Sequence, residues 1–201
     1  GEEGEAEAEE GDWTRARVQK HAKEGGKFDE QDLSGLDLSY LDLSGCSFKE
    51  AALEEARLAG CKFDGCDLSG ASLTNAILTD ASFRKSKLDN ADLSEVTASG
   101  ACFAEASIGV VEFTGGKLAG ADFSGSQGKH AGFDNCDLTS AKFDGCNLRQ
   151  PDFSGAALKS ASFKGAQMPD AAFYEATSSD ANFEGASMPR ARFSEAEFTK
   201  C

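Results

Sequence analysis

Every fifth residue from Phe28 to Phe198 is, with three exceptions, a large apolar side chain. These 35 positions hold 15 Phe, 14 Leu, 2 Met and 1 Ile, and only Ala98, Gly128 and Ser178 break the rule. All 15 Phe and both Met of the chain stand in this one register, which no insertion or deletion interrupts. Two residues before each centre there is usually a small side chain, Ala above all, with Cys, Gly, Ser or Val as replacements. A period of five fits neither a helix of period 3.6 nor a strand of period 2. It fits a stacked array in which each pentad turns one corner and sends one large and one small side chain inward.

The kind of large side chain gives the number of corners. From Phe103 to Phe193 a Phe recurs at every tenth residue. A three-sided coil of 15 residues would mix Phe with Leu in each column. A four-sided coil of 20 sorts them, stacking Phe63, Phe83, Phe103, Phe123, Phe143, Phe163 and Phe183 in one column. Phe113, Phe133, Phe153, Phe173 and Phe193 then fill the opposite column. Columns of one size pack neighbouring coils densely.

Ala91-Asp92-Leu93, Ala121-Asp122-Phe123 and Ala181-Asn182-Phe183 carry an Ala-Asp/Asn-Leu/Phe motif. In this the chain resembles the pentapeptide-repeat family over residues 26–201. The resemblance implies a right-handed four-sided parallel β-helix, an all-β solenoid. At 20 residues per coil it has about nine coils, roughly 42 Å from end to end at one strand spacing per coil.

Ahead of the array, residues 1–11 read as a flexible acidic tail and 12–25 as a capping helix. Asp12 is the expected N-cap, Gly25-Gly26 the stop, and Trp13 and Val18 the apolar contacts to the first coil. The pentads run to the end of the sequence, where Met188, Phe193 and Phe198 are expected at an open sheet edge. Such edges are normally covered, so a homodimer or another subunit is expected there. The chain begins without Met or a signal-peptide pattern. It therefore starts at an artificial junction or at the mature end of a processed precursor, which points to an organelle (plastid or thylakoid) or to the cytoplasm.

The net charge is −15, from 35 acids and 20 bases. That excludes direct nucleic-acid binding, because phosphate-binding surfaces are basic. Two His and one Trp leave little material for acid–base chemistry, and a filled β-helix core leaves no pocket. No enzymatic activity, cofactor, metal site or transmembrane segment is expected. Six of the seven Cys (Cys46, Cys61, Cys66, Cys136, Cys146 and Cys201) occupy the small inward position, where Cys replaces Ala as a small hydrophobe. Cys46 and Cys66 are the best-placed pair, but one coil rise separates their Cβ atoms further than a bridge requires. Gly128, in Ser126-Gln127-Gly128-Lys129-His130, is expected to leave a tolerated cavity, with His130 exposed.

Sorting charge by side of the coil gives the sharpest functional signal. The side centred on Leu33, Leu53, Leu73, Leu93, Phe113, Phe133, Phe153, Phe173 and Phe193 carries ten acids and one base, Arg192. The acids are Asp32, Glu54, Glu55, Asp92, Glu95, Glu112, Asp134, Asp152, Glu175 and Glu195. The other three sides net −1, 0 and −1. This pattern points to a scaffold that meets a partner protein with a basic surface. The resemblance also implies a second reading, since some family members mimic duplex DNA and bind gyrase, a type II topoisomerase.

Overall fold

The computed structural model describes residues 12–201; the acidic segment 1–11 lies outside the described residues. From residue 26 onward the chain winds a right-handed four-sided parallel β-helix. Parallel bridges join residues 20 apart without exception, from Lys27–Ser47 to Ala172–Arg192. The coil of 20 residues inferred from the Phe columns is therefore the coil observed.

Hydrogen bonds repeat with the pentad. The N–H of a centre, Leu33, donates to the carbonyl of Ala52 (2.8 Å), and that of Gly35 donates to Glu54 (2.8 Å). Pointing the other way, the N–H of Ala52 donates to Gln31 (2.9 Å). The corner closes where Leu36 N–H donates to Leu33 C=O at 3.3 Å. Such a turn puts its third residue at positive φ. Every residue whose number is a multiple of five, from Gly25 to Lys200, does have positive φ, and 22 of them are not Gly. Exposed Val110, at φ 54°, is the only β-branched one.

One N–H per pentad, that of the residue after the centre, gains no backbone partner from this pattern and must be satisfied otherwise. At nine corners an Asp or Asn just before the centre accepts it, as Asp32 Oδ1 does from Ser34 at 3.0 Å. At four others an Asp of the preceding coil reaches across, as Asp29 does to Lys49 N–H at 3.0 Å. The Asp/Asn of the motif thus has a stereochemical origin: it closes an Asx turn.

Inside, Phe rings stack along the rod. Phe103 and Phe123 are 4.8 Å apart and 7° from parallel, and Phe113 and Phe133 are 5.2 Å apart at 5°. The two opposite columns meet edge to face across the core, as Phe133 meets Phe143 at 5.3 Å and 88°. Such offset and T-shaped pairs are the favoured aromatic geometries. Cys46, Cys61, Cys66, Cys136 and Cys146 are buried free thiols. Burial pushes the Cys136 thiol up to about 12, so these sulfurs act as packing groups. Cys201 differs from expectation: it is exposed, its sulfur 3.7 Å from the Ser178 hydroxyl and 3.2 Å from the Thr199 carbonyl.

The helix, α1 (Arg15–Lys23), is shorter than expected, and its N-cap is Thr14 rather than Asp12. The Thr14 hydroxyl accepts the Arg17 N–H at 3.3 Å, while the Asp12 carbonyl takes the Arg17 guanidinium at 2.8 Å. Val18 is fully buried, and Trp13 meets Phe28 edge-on at 5.2 Å. At the other end Phe183, Met188 and Phe198 are half-buried and Phe193 is 42% exposed.

Gly128 corrects a second expectation. A Cβ placed there would lie 2.7 Å from the carbonyl carbon and oxygen of Ile108. The space is filled by the backbone of the preceding coil, so Gly is needed for a close approach rather than tolerated as a hole. Ser126, two residues earlier, has a fully buried hydroxyl with no hydrogen-bond partner among the described residues. Around it the chain is locally extended. β1 (Gln127–Lys129) pairs in parallel with β2 (Asn147–Arg149), and β3 (Thr177–Ser179) pairs with β4 (Glu197–Thr199). Pro151 has no N–H with which to close the corner after Leu148.

Candidate functional site

Bridges 20 residues apart stack the pentads that carry the ten acids one above another, and the acids divide into three groups by what holds them. Asp32, Asp92 and Asp152 precede centres and accept the N–H groups of Ser34, Ser94 and Ser154 at 2.9–3.0 Å. The Ser34 N–H holds the Asp32 carboxyl below the ordinary carboxylate range, with the Ser34 hydroxyl adding to it. At each of these three positions the turn needs an acceptor, and the Asp side chain supplies it. Sequence reasoning took them for surface charge alone.

The second group faces outward between coils. Glu54 accepts the Ser34 hydroxyl at 2.8 Å, and Asp134 accepts the Thr114 hydroxyl at 2.9 Å. Glu112 lies across Gly132 of the next coil, where a Cβ would collide with its carboxylate. Burial raises the Glu112 pKa, and the charges of Asp134, Asp92 and Asp152 raise it further. Glu112 is thus the point where repulsion along the side concentrates. The third group, Glu55, Glu95, Glu175 and Glu195, occupies exposed corners at positive φ.

None of the ten acids takes part in the eight ion pairs found among the described residues. Those pairs lie on the other sides and at the cap, as in Lys164–Glu184 at 3.1 Å and Arg190–Asp170 at 2.7 Å. A shallow groove on this side is lined by Asp134, Asn135, Asp152, Ser154, Gly155, Tyr174 and Glu175. Arg192, the one base on this side, sits 5.3 Å from the centre of the Tyr174 ring. In the last 14 residues Met188 and Phe198 are half-buried and Phe193 is exposed. There Phe198 touches Phe193 edge-on at 5.6 Å.

No group of His, Cys, Asp and Glu able to hold a metal ion occurs among the described residues. No helix among them is long and apolar enough to cross a membrane.

Three family models match the array. "Pentapeptide repeat region" matches residues 61–143, "Pentapeptide repeats (9 copies)" matches 143–187, and "Pentapeptide repeats (8 copies)" matches 32–70 and 179–201. No curated protein matches the sequence. Among solved structures, HetL of the cyanobacterium Nostoc, a pentapeptide repeat protein involved in regulating heterocyst differentiation, is 27% identical. The match covers 85% of this chain and 84% of HetL, with a TM-score of 0.52. Full-length QnrB1, a plasmid-mediated fluoroquinolone resistance protein, is 20% identical over 83% of this chain and 84% of its own, with a TM-score of 0.45. A pentapeptide repeat protein of the Arabidopsis thaliana thylakoid lumen is 25% identical over 69% and 76%, with a TM-score of 0.37.

Proposed function

The chain belongs to the pentapeptide-repeat family, and from that premise we propose that it is a non-enzymatic scaffold whose acidic side docks on a basic protein surface. The observation that carries this reading is the segregation of charge. Ten acids and one base share one side, and no ion pair among the described residues neutralises those acids, whereas six of the 17 acids on the other three sides are paired. A partner's Lys and Arg would relieve the repulsion concentrated at Glu112 and would be steered toward it over long range. HetL, 27% identical, is involved in regulating heterocyst differentiation, which agrees with a scaffold role.

The gyrase-binding reading is weaker in magnitude. Ten acids over roughly 42 Å give about one charge per 4 Å, against one per 1.7 Å along duplex DNA.

The test is isolation of the protein from its source under mild conditions, with identification of what migrates with it. Loss of that companion on reversing Glu54, Glu95 and Asp134 to Lys is the expected result. Retention of the companion by the triple variant would sink the reading. A type II topoisomerase as the companion would move the assignment to the DNA-mimic class.

A further inference from the structure

The side that precedes the acidic side in each coil is neutral overall, but its charges are not evenly spread. It carries six acids and six bases over its length, yet residues 106–150 of this side hold Lys129 and Arg149 and no acid. These two cations stand on β1 and β2, which pair in parallel with Lys129 opposite Arg149. Their backbones are therefore about one strand spacing, 4.8 Å, apart. Neither takes part in an ion pair among the described residues. Gln127 and Asn147 stand two residues before them on the same outward face, exposed. The result is a small plate of two amides and two cations outside any ion pair, on a chain of net charge −15, with Asp170 one coil on close enough for its charge to act on Arg149.

The complement of this plate is on the same molecule at the same height. The pentads that follow β1 and β2 directly, 131–135 and 151–155, carry Asp134 and Asp152, and Glu112 lies one coil earlier. We infer that the acidic side of one copy docks on the β1/β2 plate of a second, parallel copy, an assignment that rests on the reading of the acidic side as a docking surface. The two surfaces occupy adjacent sides of a four-sided rod and so face directions about 90° apart. A heterologous contact generates a closed ring when its rotation divides a full turn. A right-angle step closes after four copies, giving a two-by-two bundle of parallel rods. In it each plate meets the neighbour's Asp134, Asp152 and Glu112 without a shift along the axis. Cations placed there would remove the like-charge crowding around Glu112 that no base of its own chain relieves.

The measurement is the mass of the full chain by sedimentation velocity across concentration, at low and at high salt, on four samples. The wild type should reach four chain masses at low salt and fall to one at high salt. Lys129→Glu/Arg149→Glu and Glu112→Lys/Asp134→Lys should each stay at one chain mass, with circular dichroism showing both folded. An equimolar mixture of the two variants, whose charges are again complementary, should regain four. A wild type that remains a single copy at every concentration overturns the inference, as does an oligomer unmoved by both reversals or one that stops at two copies. If the chain stays single but loses a basic partner protein on reversal of the acidic side, only this inference fails. If the reversals change neither mass nor partner binding, the proposed docking role fails with it.

Discussion

The acidic side and the side opposite it, centred on Phe63 through Phe183, share one backbone and one kind of interior. Both point stacked Phe columns at the axis, and the columns touch each other edge to face. Outside they have diverged. The Phe63–Phe183 side carries six acids and five bases, with pairs such as Lys62–Asp42 at 3.9 Å and Arg84–Glu105 at 3.4 Å. The acidic side carries ten against one. The repeat therefore constrains inward and corner positions and leaves two or three outward positions per pentad open to choice. The difference between the two sides is written on the outward positions, side by side with a ladder that does not register them.

If the two sides differ only outside, truncating their interiors should cost the same. Phe133 and Phe143 are both fully buried, each stacked on two rings of its own column and edge-on to the other column. Phe133→Ala and Phe143→Ala are each expected to lose about 3–5 kcal/mol, read from urea unfolding. A gap between them larger than about 1.5 kcal/mol would break the comparison. Gly128→Ala, on a third side, should cost about 1–3 kcal/mol as an overpacked position, because its methyl would meet the Ile108 backbone at 2.7 Å. A neutral result there would restore the cavity reading of that pentad.

The fold was legible because a period of five over 35 centres points to a stacked array, because Phe spacing selects four sides, and because the resemblance to the pentapeptide-repeat family implies the β-helix. What could not be read came from competition among equivalent residues. Asp12 and Thr14 are both good N-caps by type; with Thr14 at the cap, Val18 is buried one turn in and Trp13 reaches Phe28. The acids of the candidate side were found by sorting, but sorting cannot separate a turn acceptor such as Asp92 from an outward charge such as Glu112. That distinction needs the orphan N–H of Ser94 to be located. The β1/β2 plate was hidden because its side sums to zero charge, so only knowledge of where the ladder becomes extended isolates Lys129 and Arg149.

Removing one charge should act with opposite sign on the two sides. Glu184→Gln breaks the exposed Lys164 pair and should cost less than about 1 kcal/mol. Glu112→Gln should stabilise. The folded-state pKa of Glu112 is raised by burial and by its acidic neighbours, so the fold favours its protonated form. That contribution is complete below the ordinary value of 4.5 and is lost as pH rises through the folded value. The variant's advantage should thus be present at pH 7 and vanish toward pH 4, in thermal unfolding followed across pH. An advantage that persists at pH 4 would mean that shape, not charge, is relieved at Gly132. Asp32 and Asp170 run the other way, both held below 3.8. Stability that rises on mild acidification should therefore fall again as their carboxylates protonate.

The smallest expected effect is the response to salt, and it tests the side as a whole rather than one residue. Screening weakens attraction in the pairs of the Phe63–Phe183 side and repulsion on the acidic side, but the repulsive charges are more numerous and unpaired. At a dilution where the chain is a single copy, raising ionic strength from about 0.01 to 0.15 M shortens the Debye length from about 30 to 8 Å. The first distance spans many coils and the second scarcely two, at roughly 4.8 Å per coil. Salt should therefore raise the unfolding midpoint slightly. Glu55→Gln/Glu95→Gln/Glu175→Gln, which empties three exposed corners without touching a turn acceptor, should abolish most of that rise. A midpoint that falls with salt in the wild type would show that the paired sides govern its electrostatics. The acidic side would then be an ordinary solvated face, and its claim to a basic partner would lose the energetic ground it stands on.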